Sequence, residues 1–170
     1  MSNNNNHPLG EAPWFHVILS TGAFSGFIPI APGTAGALVA LGIWYALYLY
    51  LSTSVLFWVT VCLILLTTIV GVWTSNVMEK YWGKDPRAVN IDEFVGTWIP
   101  LLAAPCEHHT WILAIFGFAM FRIIDIYKPL GCRTIDEKCP GGWGVMLDDV
   151  LAGLYALILT FCLKQIILAI

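Results

Sequence analysis

The sequence predicts an all-α fold: a polytopic membrane helical bundle of about five hydrophobic segments, one of them short or re-entrant. Hydrophobic residues make up 58% of the 170 residues, and charged residues make up only 11%. Ordinary soluble domains contain roughly 25% charged residues, so this composition indicates a membrane protein. Apolar runs alternate with turn-forming residues and lie at positions 35–51, 55–73, 94–104, 111–126 and 150–170.

The N-terminal residues 1–13 are predicted to form a polar tail, and residues 14–170 a single membrane-embedded helical domain. The tail, MSNNNNHPLGEAP, contains no Lys or Arg and no apolar core. It therefore lacks the features of a cleavable signal peptide. Residues 14–30 are apolar but are interrupted by glycines and prolines, so we expect an interfacial helix or an embedded loop there.

The five apolar runs differ in length. Two of them have the length needed to span about 30 Å of hydrocarbon without help. The run at 94–104 is too short for this, so it is predicted to be a half-helix or a re-entrant piece packed inside the bundle.

Basic residues predict the orientation of the segments. Six of them lie in two connections: Lys80, Lys84, Arg87, Lys128, Arg133 and Lys138. The short turns at 52–54 and 105–110 contain no Lys or Arg. Because Lys and Arg concentrate in cytoplasmic loops, both basic connections and the N-terminus are predicted to face the cytoplasm.

Acidic residues are predicted to gather at the cytoplasmic ends of three segments. They are Asp92, Glu93, Asp125, Asp148 and Asp149. Adjacent helical residues point about 100° apart, so we expect one member of each neighbouring pair to face the site. Clustered carboxylates repel unless cations intervene, and hard oxygen ligands favour Mg²⁺ over a transition metal. We therefore predict that these five acids are catalytic and bind metal.

Two kinds of group are predicted to bind a phosphate beside these acids. Arg122 and Lys128 share one helical stripe with Asp125, and arginine binds phosphate in a bidentate manner while lysine adds a point charge. The stretch APGTAG precedes the first span, with Thr34 as a candidate N-cap. Backbone N–H groups at such a helix start bind phosphate oxygens, which adds Gly33 and Thr34 to the predicted site. The implied ligand is a phosphorylated lipid.

Simpler roles stay open for the same charges. Asp148 and Asp149 also suit the start of a helix, where the dipole favours acids. Arg122 and Asp125 suit a structural ion pair, and Lys128 suits a helix end that it anchors by reaching toward the membrane surface.

Cysteine and histidine suggest no further chemistry. The five cysteines are an odd number, and they are predicted to be inert thiols outside any disulfide framework. Cys132 and Cys139 share a loop without the further ligands that a zinc site needs. His108 and His109 fall in the opposite loop and are predicted to be solvated.

Four sequence blocks, in this order, resemble the phosphatidylglycerophosphatase A family: IPIAPGTAGAL, NIDEFVGTWIPLL, FRIIDIYKPLG and GGWGVMLDDVLAG. They extend from residue 28 to residue 153. The resemblance implies a Mg²⁺-dependent enzyme of the bacterial inner membrane, which removes the terminal phosphate of phosphatidylglycerophosphate to give phosphatidylglycerol in glycerophospholipid biosynthesis. It also implies an active site at the cytoplasmic face, in agreement with the basic connections. The oligomeric state is not predicted.

Other phosphatase mechanisms lack their residues in this sequence. No cysteine is followed by an arginine six positions later, no Asp-x-Asp motif occurs, and no histidine lies among the cytoplasmic charges. Two routes stay open: attack by a water activated by Mg²⁺, or attack by an aspartate carboxylate.

Three other function classes fit the sequence less well than a phosphatase. A small ion or solute transporter subunit is the main alternative, since acids within a membrane also mark ion pathways. The predicted acids gather at one face of the membrane, however, and are not staggered through its depth. A lipid phosphotransferase would need a spaced acidic motif that the sequence lacks. Nucleic-acid binding is not expected, because the net charge is −3 and no basic stripe occurs.

Overall fold

The computed structural model describes residues 12–84, 86–106, 108–129 and 131–169, and this part of the chain is helical and contains no strand. In chain order its α-helices are α1 (Trp14–Ser20), α2 (Pro32–Tyr50), α3 (Thr53–Trp82), α4 (Asp92–Leu101), α5 (Thr110–Tyr127), α6 (Cys132–Lys138) and α7 (Gly142–Ala169). The predicted all-α class is confirmed. Most of the predicted polar tail and the side chain of Arg133 lie outside the described residues.

Four helices, α2, α3, α5 and α7, are long and apolar enough to cross a membrane. The fifth predicted segment, α4, has only ten residues. At 1.5 Å per residue it is about 15 Å long, half of a hydrocarbon core of about 30 Å. The predicted count of about five segments thus becomes four full-length helices and one short helix.

Helix α4 does not turn back toward its own start. The chain after Leu101 passes Pro105 and begins α5 at Thr110. The Lys164 ammonium, near the end of α7, donates a hydrogen bond to the Pro105 carbonyl at 2.6 Å. Because α7 starts beside the acidic residues and Lys164 lies 22 positions after its first residue, this contact places residue 105 at the opposite end of the bundle. The end of α7 lies there too.

Helix α4 forms the centre of the bundle. All of its residues from Glu93 to Leu101 are buried, and it packs against α2, α3, α5 and α7. The Trp98 indole N–H donates to the Ala40 carbonyl of α2 at 2.9 Å. On the opposite side of α4, a Cβ added at Gly153 of α7 would lie 2.9 Å from the Gly96 carbonyl oxygen. The two helices can approach this closely only because position 153 has no side chain.

The segment before α2 is broken, as its glycines and prolines predicted. Helix α1 ends at Ser20, and a turn with positive φ at Gly22, Ala23 and Phe24 leads to a short 3₁₀ helix, Ser25–Phe27. The α1 segment packs against the second half of α3, and the outer side of its first turn is exposed. No part of this segment is long enough to cross a bilayer.

Two helix starts differ from the prediction. Helix α7 begins at Gly142, eight residues before the apolar run. Its first turn packs so closely against neighbouring backbone that no side chain would fit at Gly142 or Gly144. Asp148 therefore lies beyond the first helical turn, where the helix dipole has little effect on a charge. Helix α2 begins at Pro32 with Ala31 as its N-cap, so the prediction of Thr34 as the N-cap is wrong.

Candidate active site

One end of the bundle, called the site end below, combines the starts of α2, α4 and α7 with the end of α5. All nine predicted site residues belong to these helix ends: Gly33, Thr34, Asp92, Glu93, Arg122, Asp125, Lys128, Asp148 and Asp149. His108 and His109 precede α5 and lie at the opposite end, away from the acids.

Three carboxylates form a cluster at the site end. One oxygen from each of Asp125, Asp148 and Asp149 lies within 4.8 Å of the others. Asp148 and Asp149 are only 5% and 3% exposed. The Asp149 Oδ2 atom is buried and has no hydrogen-bond partner within the described part of the chain. The structure thus brings both members of this aspartate pair into the cluster, where the sequence suggested one.

Helix packing places a second acidic pair opposite the cluster. Asp149 lies four residues before Gly153, and Asp92 lies four residues before Gly96, so each acid shares a helical face with its glycine. The contact between the two glycines therefore brings Asp92 and Asp149 to face each other across α4 and α7, and their charges interact.

Arg122 connects three helices through its guanidinium group. Its Nη1 donates to Glu93 Oε2 of α4 and, at 2.9 Å, to Asp125 Oδ2 on its own helix. Its Nη2 lies 3.4 Å from Thr34 Oγ1 of α2. The side chain is only 14% exposed, so this positive charge is largely shielded from water. The ion pair with Asp125, which the sequence left open as an alternative role, is present, and Glu93 is a second partner that the sequence did not predict.

The first turn of α2 lies directly against this ion pair. A Cβ added at Gly33 would overlap Glu93 Oε1 and come within 3.3 Å of Arg122 Nη2. The backbone N–H groups of Gly33 and Thr34 have no acceptor inside the helix, because they belong to its first turn. The glycine therefore lets the amide end of α2 reach the charged groups.

Lys128 follows α5 in a left-handed conformation, with φ 44°. Its ammonium group donates to Asp148 Oδ2 at 2.7 Å. This residue does more than anchor the end of a helix, because its charge is directed at the carboxylate cluster.

Two acidic residues at the start of α4 lie among other charges. Glu93 is 7% exposed and binds Arg122. The charges of Asp92, Glu93 and Asp148 lie close enough to repel one another. Buried carboxylates that lie together need additional positive charge nearby to stay ionised. In α6, burial followed by the Asp148 charge raises the pKa of the Cys132 thiol, which fits the expectation of an unreactive cysteine.

Two polar residues of structural importance were missed in the sequence. Asn90 is 1% exposed and bonds the segments before α2 and α4 together. The available signal was weak: an amide two residues before a pair of acids in an apolar block. Lys164 is the basic residue near the end of α7, far from all the others along the bundle, and it binds the Pro105 carbonyl. Its isolation from the two basic connections was the available signal.

Comparisons with known proteins agree with the motifs. Residues 18–164 match the family described as phosphatidylglycerophosphatase A. A protein of Escherichia coli named phosphatidylglycerophosphatase A is 38% identical over 142 residues, covering 83% of this chain and 77% of the relative. A protein of the same name from Haemophilus influenzae is 37% identical over 161 residues, covering 94% and 96% of the two chains.

A third relative has a different name. A protein of Bacteroides thetaiotaomicron named "Putative phosphatidylinositol-3-phosphatase" is 51% identical over 151 residues, covering 89% of this chain and 94% of the relative. No solved structure is significantly similar to the chain.

Proposed function

Because the chain belongs to the phosphatidylglycerophosphatase A family, we propose that this membrane phosphatase hydrolyses the terminal phosphomonoester of phosphatidylglycerophosphate, giving phosphatidylglycerol and inorganic phosphate. One observation carries the proposal: Asp125, Asp148 and Asp149 meet Arg122 and Lys128 at one end of four membrane-length helices. Acids that hold a cation and basic groups that bind a phosphate are the parts that a metal-assisted phosphatase needs.

The carboxylate cluster fits a Mg²⁺ ion. Its donors are all hard carboxylate oxygens, the class that Mg²⁺ prefers. The buried Asp149 Oδ2, which has no hydrogen-bond partner among the described residues, would gain one in the ion. Asp125, Asp148 and Asp149 would hold the ion, with Asp92 and Glu93 close enough to take part through their charges. When bound, Mg²⁺ offsets negative charge on the phosphate and makes a nearby water more acidic.

The phosphate group would bind between α2 and α5. Arg122 already lies beside Thr34, and the N–H groups of Gly33 and Thr34 are available in the first turn of α2. An incoming phosphate would take part of the role that Glu93 and Asp125 now play as partners of the guanidinium. Lys128 would add positive charge from the opposite side, where it now contacts Asp148.

In the proposed reaction, a water oxygen attacks the phosphorus atom. The bond between phosphorus and the glycerol oxygen breaks, and a carboxylate of the cluster accepts the proton of the water. The leaving alkoxide then takes this proton from the carboxylic acid, which becomes a carboxylate again, and forms the free hydroxyl of phosphatidylglycerol. The alternative is attack by an aspartate with an acyl-phosphate intermediate. That route predicts protein-bound phosphate in a single-turnover experiment, and direct attack by water predicts none.

The site is proposed to face the cytoplasm of a bacterial inner membrane. Lys80 lies in the last turn of α3, and Lys84 and Arg87 lie between α3 and α4. Lys128 directly follows α5, and Lys138 is the last residue of α6. All of these belong to the site end. Connections rich in Lys and Arg remain cytoplasmic, which supports this orientation.

Phosphatidylinositol 3-phosphate is a second candidate substrate. It is favoured by the name of the relative that is 51% identical. Both lipids present a phosphomonoester at a membrane surface, but one carries it on a flexible primary alcohol and the other on a ring. The groups described above bind the phosphate and not the alcohol, so substrate choice depends on groups around the leaving oxygen.

The deciding experiment compares phosphate release by the purified protein from the two lipids in mixed micelles, with Mg²⁺ and with EDTA. We expect Mg²⁺-dependent release from phosphatidylglycerophosphate. A much higher kcat/KM for phosphatidylinositol 3-phosphate would establish the second candidate. Release that persists in EDTA would contradict the metal proposal, and no release from either lipid would contradict both substrate assignments.

A further inference from the structure

Asn90 is a buried amide that bonds three separate segments together. Its side-chain Nδ2 donates to Ser25 Oγ at 2.9 Å and to the Pro32 carbonyl at 3.2 Å. Its backbone N–H donates to the Ser20 carbonyl at 2.9 Å. The amide thus links the end of α1, the 3₁₀ helix and the first residue of α2 to the chain just before α4.

Helix α2 lies directly against the Asn90 side chain, at a position where only glycine fits. A Cβ added at Gly36 would lie 2.6 Å from Asn90 Nδ2 and 3.0 Å from Asn90 Cγ. Gly36 is therefore the residue of α2 against which the amide rests. In contrast, a Cβ added at Gly42, farther along the same helix, would meet nothing within 4 Å.

The position of α2 determines where its first turn meets the charged groups. Pro32, whose carbonyl accepts the Asn90 hydrogen bond, is followed directly by Gly33 and Thr34. Gly33 lies against Glu93, and Thr34 lies beside Arg122. Asn90 is also three residues before Glu93 in the chain. It therefore connects the first turn of α2 to the start of α4, the two elements that meet in this contact.

We propose that Asn90 is a positioning residue that holds the amide end of α2 beside Arg122, so that both groups reach the same phosphate. The inference rests on the proposed function, since it assumes that Gly33, Thr34 and Arg122 bind phosphate. Asn90 itself touches no reacting atom. Its role is to hold the backbone N–H groups of Gly33 and Thr34, which contact the phosphate in the proposed reaction. Small displacements of such groups reduce turnover by up to about 10²-fold.

A second buried bond between the same helices provides a contrast. The Trp98 indole N–H binds the Ala40 carbonyl and joins α4 to α2 farther from the site end. Trp98→Phe removes that bond and is expected to lower the unfolding temperature. If Asn90 served only to dock α2 on α4, the loss of either bond would have the same effect on the enzyme.

The test measures two quantities in purified variants: kcat/KM for phosphatidylglycerophosphate, and the inhibition constant of inorganic phosphate. Asn90→Asp keeps the size of the side chain but removes the Nδ2 donor. Gly36→Ala displaces the amide and leaves it chemically intact, so it serves as the second variant if Asn90→Asp fails to fold. Gly42→Ala, the same change on the same helix, is the matched control, and Trp98→Phe controls for stability.

We expect Asn90→Asp and Gly36→Ala to lower kcat/KM by about 10- to 100-fold and to raise the inhibition constant of phosphate in parallel. Gly42→Ala and Trp98→Phe should leave that inhibition constant unchanged. If the wild type is active and every variant has the same inhibition constant for phosphate, this inference is wrong but the proposed function still stands. A wild-type protein that hydrolyses neither lipid would overturn the proposed function and this inference with it.

Discussion

The Lys128 ammonium lies 2.7 Å from a carboxylate oxygen of Asp148 and thereby joins the end of α5 to α7. The aspartate side chain is 7% exposed and the lysine side chain 30% exposed, so water shields this pair only in part. Because both residues belong to the charged group at the site end, the pair affects both the fold and the proposed reaction.

Removing the Lys128 charge should lower both the stability of the fold and the rate of phosphate release. Lys128→Met leaves Asp148 buried without this cation, so the free energy of unfolding should fall by about 1–3 kcal/mol, the usual effect of losing a hydrogen bond to a charged group. Phosphate release should fall as well. Thermal unfolding and activity in detergent measure the two effects. Lys138→Met, at an exposed position on α6, is the control. An equal loss in that variant would show that the effect depends on the total positive charge at the site end and not on the contact between Lys128 and Asp148.

Asp149→Asn tests the proposed metal site directly. The substitution keeps the size of the side chain but removes the charge of an acid that is 3% exposed. Turnover should fall strongly, and the Mg²⁺ concentration that gives half-maximal activity should rise by at least about tenfold. Activity measured over a Mg²⁺ titration checks this. Wild-type turnover with unchanged Mg²⁺ dependence would remove Asp149 from the proposed metal site.

Arg122→Lys tests whether geometry or charge matters at this position. Lysine keeps the positive charge but has no planar group that reaches Glu93, Asp125 and Thr34 together. We expect a large loss of kcat/KM while the protein still inserts into the membrane. Arg87→Lys, at an exposed position between α3 and α4, is the matched control and should behave as wild type. Near-normal turnover of Arg122→Lys would show that Arg122 only forms a structural ion pair and does not bind phosphate.

Membrane orientation is open to chemical labelling. Single cysteines at Arg87 and at Ser52, in a background without other cysteines, place one thiol at the site end and one at the opposite end, and both positions are exposed. An impermeant thiol reagent added to intact cells should label position 52 and spare position 87. The reverse pattern would place the proposed active site on the outer face.

Sequence patterns predicted the helices and the charged cluster well. Lipid-facing helices must be apolar along their whole length, so hydropathy locates them directly. The predicted site residues were recognisable because a charge within an apolar block is unusual enough to need an explanation. The same reasoning placed α4 as a short segment, and the structure has it as the ten-residue centre of the bundle.

The sequence was less informative where distant contacts decide the structure. The apolar run that predicted α7 begins at residue 150, but the helix already begins at Gly142, where close contacts with neighbouring backbone leave no room for a side chain. Asn90 gave no clear signal, because its side-chain partners are 58 and 65 residues away in the chain. The pairing of Arg122 with Glu93 likewise depends on how α4 and α5 pack, which local patterns do not show.

The contact between Gly96 and Gly153 has a further consequence for ion selectivity. The backbones of α4 and α7 meet there one turn from the acids, so the spacing of the carboxylates is set by the helix axes and does not adjust freely to an incoming ion. Mg²⁺ requires oxygen ligands at about 2.0–2.1 Å, whereas Ca²⁺ accepts longer and more variable distances of about 2.3–2.6 Å. If the cluster binds a metal ion as proposed, a set of oxygens that is preorganised on these helices would select the ion by its radius, and folding rather than binding would supply the energy that assembles the set.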